Sequence, residues 1–270
     1  MRHEESGAGP LGEVALADSL YATPRVVTDL GECYFYHTVE LPGYGLIEGE
    51  WDLRRGIRDY LGEVDFAGKR VLEIGTSSGF VCFHMEHAGA DVVAYDLSDT
   101  HSIDIVPNRC DLTRFAANYK DHIHRLNNAY WLSHRANQSR ARVVYGSVYA
   151  VPPAIGSVDI STFGCVLLHL RDPFLALQNA LRLTRETVIV TEPLWTPEKF
   201  GKYTTPVMEF LPDPKSAAAD VTWWFLSPHV VQRFVALLGF EDSAVTTSRH
   251  IYRGRVVYAF TVVAKRTQPL

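Results

Sequence analysis

At 270 residues, with 47 % apolar and 21 % charged side chains, the chain is long enough for one well-cored α/β unit and short for two. A formal charge of −5 argues against a molecule built as a whole to bind polyanions. No apolar run approaches the roughly 20 residues that span a bilayer, and the opening, with Glu4 and Glu5 among glycines, lacks the basic start and apolar stretch of a signal peptide.

Cys33, Cys82, Cys110 and Cys165 are scattered, which predicts reduced thiols in a cytoplasmic protein rather than a disulfide framework or a zinc site. Residues 1–23, rich in Gly, Ala and acid, are expected to form a flexible lead-in, followed by an N-terminal cap segment over 24–68. From Lys69 onward, short β-branched runs alternate with helical stretches, the pattern of a parallel sheet with crossover helices, so 69–270 is read as one domain.

The first strand is Arg70–Ile74, followed by a glycine turn and a helix from about Ser78 to His87; a second strand covers Asp91–Asp96. Leu112, Phe115, Ala116, Tyr119, Ile123, Leu126 and Tyr130 then form one apolar stripe on a long helix. Strand three is Ala141–Tyr145 and strand four Val158–Leu168. Asp172 and Pro173 start a helix with a side-chain cap and a proline at the first helical position. Strand five is Thr187–Glu192, and a linker, Pro193–Ser227, leads to a helix over about Pro228–Leu238. The last two runs, Ser243–Ser248 and Arg255–Ala264, lie too close together for a parallel crossover and must form an antiparallel hairpin.

Glu73-Ile74-Gly75-Thr76-Ser77-Ser78-Gly79 sits at the first strand-to-helix turn. Gly75 can adopt positive φ, Gly79 allows close approach, and the amides of the following helix suit an anion. A nicotinamide fingerprint would need its third glycine where Phe80 stands. Asp96 ends the second strand about 20 residues later, placed to accept hydrogen bonds from ribose hydroxyls.

This loop resembles the E/D-x-G-x-G-x-G motif of class I methyltransferases that use S-adenosyl-L-methionine (SAM), with Ser77 in place of the middle glycine. The run Gly164-Cys165-Val166-Leu167-Leu168-His169-Leu170-Arg171-Asp172-Pro173 resembles the G-V-L-x-H-L-x-D/N-P stretch of the same class. Together with Glu50–Arg54 and Thr222–Pro228, it is most similar to the small family related to tRNA wobble-uridine carboxymethyltransferases. The resemblance implies a Rossmann-like seven-strand sheet, α/β in class, with a C-terminal hairpin, helices on both faces and a lid from the cap and the linker. It implies SAM as cofactor, held by Glu73, Gly75, Thr76, Ser77, Gly79, Asp96 and Gly164, with Leu97 on the adenine and Ser147-Val148 at its edge. The carboxymethyltransferases carry tyrosine where Leu168 stands, so ordinary SAM is expected rather than its carboxylated form.

His169 falls where open α/β sheets place their ligands and can serve as general base or as a strand cap. Trp195 and Trp224 are expected to line an apolar substrate pocket, with Glu192 orienting a substrate donor. His84 and His87 share a helix face and His122 and His124 do not; neither pair has a carboxylate partner set, so no metal is expected. Residues 109–142 carry seven basic and two acidic side chains, which keeps an RNA substrate as an alternative. A small, largely apolar or aromatic metabolite is the favoured substrate, methylated by in-line displacement; a SAM-binding protein of regulatory or non-methylating role is a third reading.

Overall fold

The computed structural model describes residues 20–108, 111–194, 205–216 and 220–269. Most of the expected lead-in, together with Arg109, Cys110, Trp195, Phe200 and Tyr203, lies outside these described residues. The end of the lead-in that is described is docked: the Ala22 amide donates to the Val143 carbonyl at 2.8 Å, and the Tyr21 ring lies beneath the Arg142 guanidinium.

The strands are β1 (Val39–Leu41), β2 (Gly45–Ile47), β3 (Trp51–Asp52), β4 (Arg70–Ile74), β5 (Asp91–Asp96), β6 (Arg142–Tyr145), β7 (Val158–Gly164), β8 (Thr184–Leu194), β9 (Met208–Phe210), β10 (Trp224–Leu226), β11 (Asp242–Tyr252) and β12 (Arg255–Lys265). The α-helices are α1 (Ile57–Tyr60), α2 (Phe80–His87), α3 (Leu112–Ala136), α4 (Pro173–Leu181) and α5 (Pro228–Leu237). The main sheet runs β3-β11-β12-β8-β7-β4-β5-β6. β6, β5, β4, β7 and β8 are parallel, and β12 and β11 close the sheet antiparallel. The expected seven strands are therefore present. An eighth, the two-residue β3, is added at the hairpin edge by the cap, pairing Trp51 with Tyr252.

The central strands are covered on both faces, which is why they read as apolar runs. Along β4, Val71 faces one core with α2, the second half of α3 and the cap residues Leu53, Ile57 and Tyr60. Leu72 and Ile74 face the other core with Leu177 of α4 and Val231 and Val235 of α5. Asp172 accepts from the Leu175 amide at 2.9 Å ahead of Pro173, the cap expected for α4. β11 and β12 meet at a two-residue turn, Arg253-Gly254, both with positive φ, whose twist matches that of the flanking strands.

The structure departs from the sequence expectation in several places, and β8 and β11 also run longer than expected. β7 stops at Gly164, because Cys165 turns into left-handed backbone at φ 54°, and a 3-10 turn over Leu167–His169 follows. α2 begins at Phe80, since Gly79 at φ 89° cannot be helical. The linker is not structureless: β9 and β10 pair antiparallel within it.

Gly79 has no space for a side chain. A Cβ there would be driven into the Phe83 ring and stand 2.9 Å from Tyr130, so the glycine serves the packing of α2 on α3. Gly79→Ala is expected to lower unfolding free energy by about 1–3 kcal/mol, through overpacking and unfavourable φ, as read by urea denaturation.

Candidate active site

The carboxyl ends of β4, β5, β6 and β7 lie side by side and carry nearly all of the chemistry foreseen in the sequence. The glycine loop leaves β4 with Gly75 at φ 82°, its amide donating to the Tyr95 carbonyl at 2.8 Å. Ser77 sits in the left-handed region at φ 53°, the conformation that the glycine of the related motif adopts without cost. What holds a serine there is Asp96. One carboxylate oxygen accepts the Ser77 amide at 2.7 Å and the other accepts the Leu97 amide at 2.7 Å. Each oxygen retains acceptor capacity for a further donor.

Next to it, the Tyr95 hydroxyl donates to the Ser147 carbonyl at 2.8 Å, so the turn after β6 is tied to β5. The Ser147 hydroxyl accepts from the Tyr149 amide at 3.3 Å. On the other side, Gly164 ends β7 against the Tyr60 hydroxyl, which would stand 2.6 Å from a Cβ at that position.

The cap covers this edge. The Thr38 amide donates to the Trp51 carbonyl and the Trp51 amide to the Tyr36 carbonyl, and the His37 amide donates to the Ser78 hydroxyl at 3.4 Å. His37, Tyr60 and Leu61 of the cap meet Glu73, Gly75, Thr162, Gly164 and Thr191 of the sheet around a cavity of about 20 Å³, room for one water-sized group. His37 Nδ1, a Glu73 oxygen and the Thr162 hydroxyl are all buried without a hydrogen-bond partner. Buried polar groups are rarely left so, and three around one cavity mark a place built for something else. His37, Tyr60, Thr162 and Thr191 were not singled out in the sequence. Only the alternation that puts Glu73 and Thr162 on otherwise apolar strand faces hinted at them.

His169 lies five residues beyond the end of β7, in the 3-10 turn, and not directly at the strand's end as expected. Its Nδ1 lies 3.0 Å from the Val221 carbonyl. A carbonyl only accepts, so Nδ1 carries the proton and Nε2 is the basic nitrogen. Burial lowers its pKa, keeping the ring neutral. Glu192 is 1 % exposed; one oxygen accepts the Leu167 amide at 2.7 Å, and the other has no partner. It thus props the turn that carries His169. Trp224 donates its indole N–H to the Leu170 carbonyl at 3.0 Å and packs on Phe210. Trp223 reaches the Asp104 carbonyl at 2.9 Å, stitching the linker to the loop after β5.

A second group of rings stands near Asp96. Phe115, Tyr119 and His122 of α3 continue to Tyr34 of the cap, with centroids 5.8, 5.6 and 4.5 Å apart. Tyr34 donates to Glu50, which Arg253 holds through Nε and one terminal nitrogen of its guanidinium.

Burial pushes the Glu73 carboxyl up to about 7 and that of Glu192 up to about 8, and holds the His37 imidazole down at about 4. An acid with a raised folded pKa binds more protons folded than unfolded, so stability falls as pH rises through that range. A histidine with a lowered folded pKa does the opposite, but only up to its unfolded value near ~6.5. The ligand-free thermal midpoint is therefore expected to decline between about pH 6.5 and 8. Glu192→Gln, which keeps the acceptor for Leu167, should flatten that decline; an unchanged slope in the variant would contradict the assignment.

No family profile matches the chain, and no curated protein sequence matches it. Solved structures do. The N-terminal domain of EvdMO1, crystallised with S-adenosylhomocysteine, superposes with a TM-score of 0.50 over 97 % of this chain and 100 % of that one, at 14 % identity. Magnesium protoporphyrin IX methyltransferase (ChlM) from Synechocystis PCC 6803 gives a TM-score of 0.49 over 80 % of this chain and 82 % of that one, at 13 % identity. With the strand order and the closing hairpin, the likeness to the EvdMO1 domain establishes a Rossmann-like α/β fold for this chain.

Proposed function

We propose that the protein is a SAM-dependent methyltransferase acting on a small, largely apolar or aromatic molecule. The observation that carries this reading is the coupling of Asp96 to the glycine loop. A carboxylate at the end of β5 shapes the loop through Ser77 and still has lone pairs for two ribose hydroxyls. The residues fit the cofactor in order along the sheet edge: Ser147-Val148 beside β6 and Leu97 just after β5 for adenine, Asp96 at the end of β5 for ribose, Gly75 and Gly164 at β4 and β7 for the remainder. Bound SAM would supply an electrophilic methyl group on a sulfonium. The protein's share is to orient the acceptor, exclude water and, for a hydroxyl or ammonium acceptor, take up a proton. The neutral His169, with its basic nitrogen at Nε2 and its turn propped by Glu192, suits that last task.

The rings of Tyr34, Phe115, Tyr119 and His122 favour an apolar or aromatic acceptor, and Tyr119 lies close enough to Asp96 to feel its charge. Part of the basic content of 109–142 is used internally. Arg125 donates to the Cys33 carbonyl, and Arg142 pairs with Asp91 and covers Tyr21. That weakens the case for RNA.

Calorimetry with S-adenosylhomocysteine should give micromolar binding, weakened by about 10- to 10³-fold in Asp96→Ala, which loses acceptors worth ~1.5–3 kcal/mol each. No binding by the native chain would reject the proposal; equal binding by Asp96→Ala would reject the role of that residue. Incubation with labelled SAM and a cell extract should place label in small molecules. Activity on the acceptor should change little with salt, whereas RNA contacts would give a slope of about −0.7 per phosphate in log K against log salt. His169→Ala should lower turnover by about 10²–10⁴ with cofactor affinity kept; a loss under about tenfold would return His169 to a purely structural role.

A further inference from the structure

The cavity between the cap and the sheet is unaccounted for by the adenosine half of the site. It lies beyond the glycine loop from Asp96, where β4 and β7 end, and its lining includes Gly75 and Gly164. Three polar groups of its lining are buried, unpartnered and able to accept a hydrogen bond: a Glu73 carboxyl oxygen, the Thr162 hydroxyl and, with the proton on Nε2, His37 Nδ1; the Tyr60 and Thr191 hydroxyls beside them are already spent on the Cys165 thiol and the Tyr60 carbonyl. His37 is 7 % exposed, its backbone is held on both sides and its ring packs on Tyr36 and Phe80. Thr38 and Tyr36 on either side are bonded to Trp51, and Gly49 packs so closely on the His37 carbonyl that a Cβ could not fit between them. A nitrogen held so firmly against a water-sized space, opposite a carboxyl group, suits a compact donor. A carboxylate would be repelled there; an ammonium group has the right size and charge.

We infer that His37 is a positioning residue for the cofactor's aminoacyl arm, receiving its ammonium group together with Glu73 and Thr162 in the cavity beside Gly75. This rests on the SAM reading of the site. It makes the cap part of the cofactor site, and not merely a cover over it.

The test compares two ligands that differ only in that arm. S-adenosylhomocysteine carries it; 5′-methylthioadenosine keeps the adenosine and the thioether and lacks it. Calorimetry on the full chain should show His37→Phe weakening S-adenosylhomocysteine by about tenfold or more, the scale of one hydrogen bond to a charged group. His37→Asn, which returns an amide near the position of Nδ1, should recover most of that affinity. 5′-Methylthioadenosine should bind all three proteins alike. Because Phe removes an unpartnered polar atom, the ligand-free His37→Phe protein should melt at or above the native temperature. In the native protein labelled with ¹⁵N-histidine, the Nδ1 resonance of His37 should shift with S-adenosylhomocysteine and not with 5′-methylthioadenosine; this holds whether or not a variant folds.

Unchanged S-adenosylhomocysteine affinity in His37→Phe would overturn the inference. So would an equal loss for both ligands with a lowered melting temperature, which is the signature of a structural histidine. Binding of neither ligand by the native protein would reject the SAM reading itself, and the inference with it.

Discussion

The Asp96 carboxylate is the interaction on which the site depends. It reaches from the end of β5 to the amide of Ser77 in the neighbouring loop and to that of Leu97 in its own. The charge-assisted bond to Ser77 at 2.7 Å holds the loop in a conformation that an L-residue adopts rarely, and the bond to Leu97 at 2.7 Å steadies the carboxylate. The same oxygens face the place where a ligand would lie. Loop shape and ligand recognition are then one electrostatic arrangement, and a defect in either is felt by both.

The second constraint is the cap. Residues 24–68 add the edge strand β3 to the hairpin, tie themselves to it through Glu50 and Arg253, and set His37, Tyr60 and Leu61 over the ends of β4 and β7. The result is a buried polar cluster of Glu73, Thr162 and His37 beneath the glycine loop, with Glu192 nearby under the 3-10 turn. Such groups cost stability when nothing binds them. Several of the unpartnered atoms gather along this edge, where the proposed cofactor would meet them.

Much of the fold was legible in the sequence because its signals are local. β4, β5 and β12 are β-branched runs, the Asp172-Pro173 start of α4 is a cap with its own chemistry, and a gap too short for a parallel crossover forces the final hairpin. The glycine loop and Asp96 were legible for the same reason: spacing within one βαβ unit encodes them. The end of β7 was not, since Cys165 turns left-handed under tertiary constraint, its amide bonded to the Thr191 carbonyl. His37 was not legible either. Its meaning comes from Glu73, Thr162 and Gly164, 36 to 127 residues away in the chain, brought to it only by the fold. Trp224, foreseen only from composition, owes its placement to the fold as well: its indole N–H meets the Leu170 carbonyl and its ring packs on Phe210.

The central claim is that one extended ligand lies across the ends of β6, β5, β4 and β7, pinned at Asp96. A crystal structure of the protein grown with S-adenosylhomocysteine tests this most directly. The account predicts the ribose hydroxyls on the Asp96 carboxylate, the adenine beside Leu97 and Val148, and the amino group within hydrogen-bond reach of His37 and Glu73. A ligand bound elsewhere, or one in this edge with its ribose away from Asp96, would contradict it.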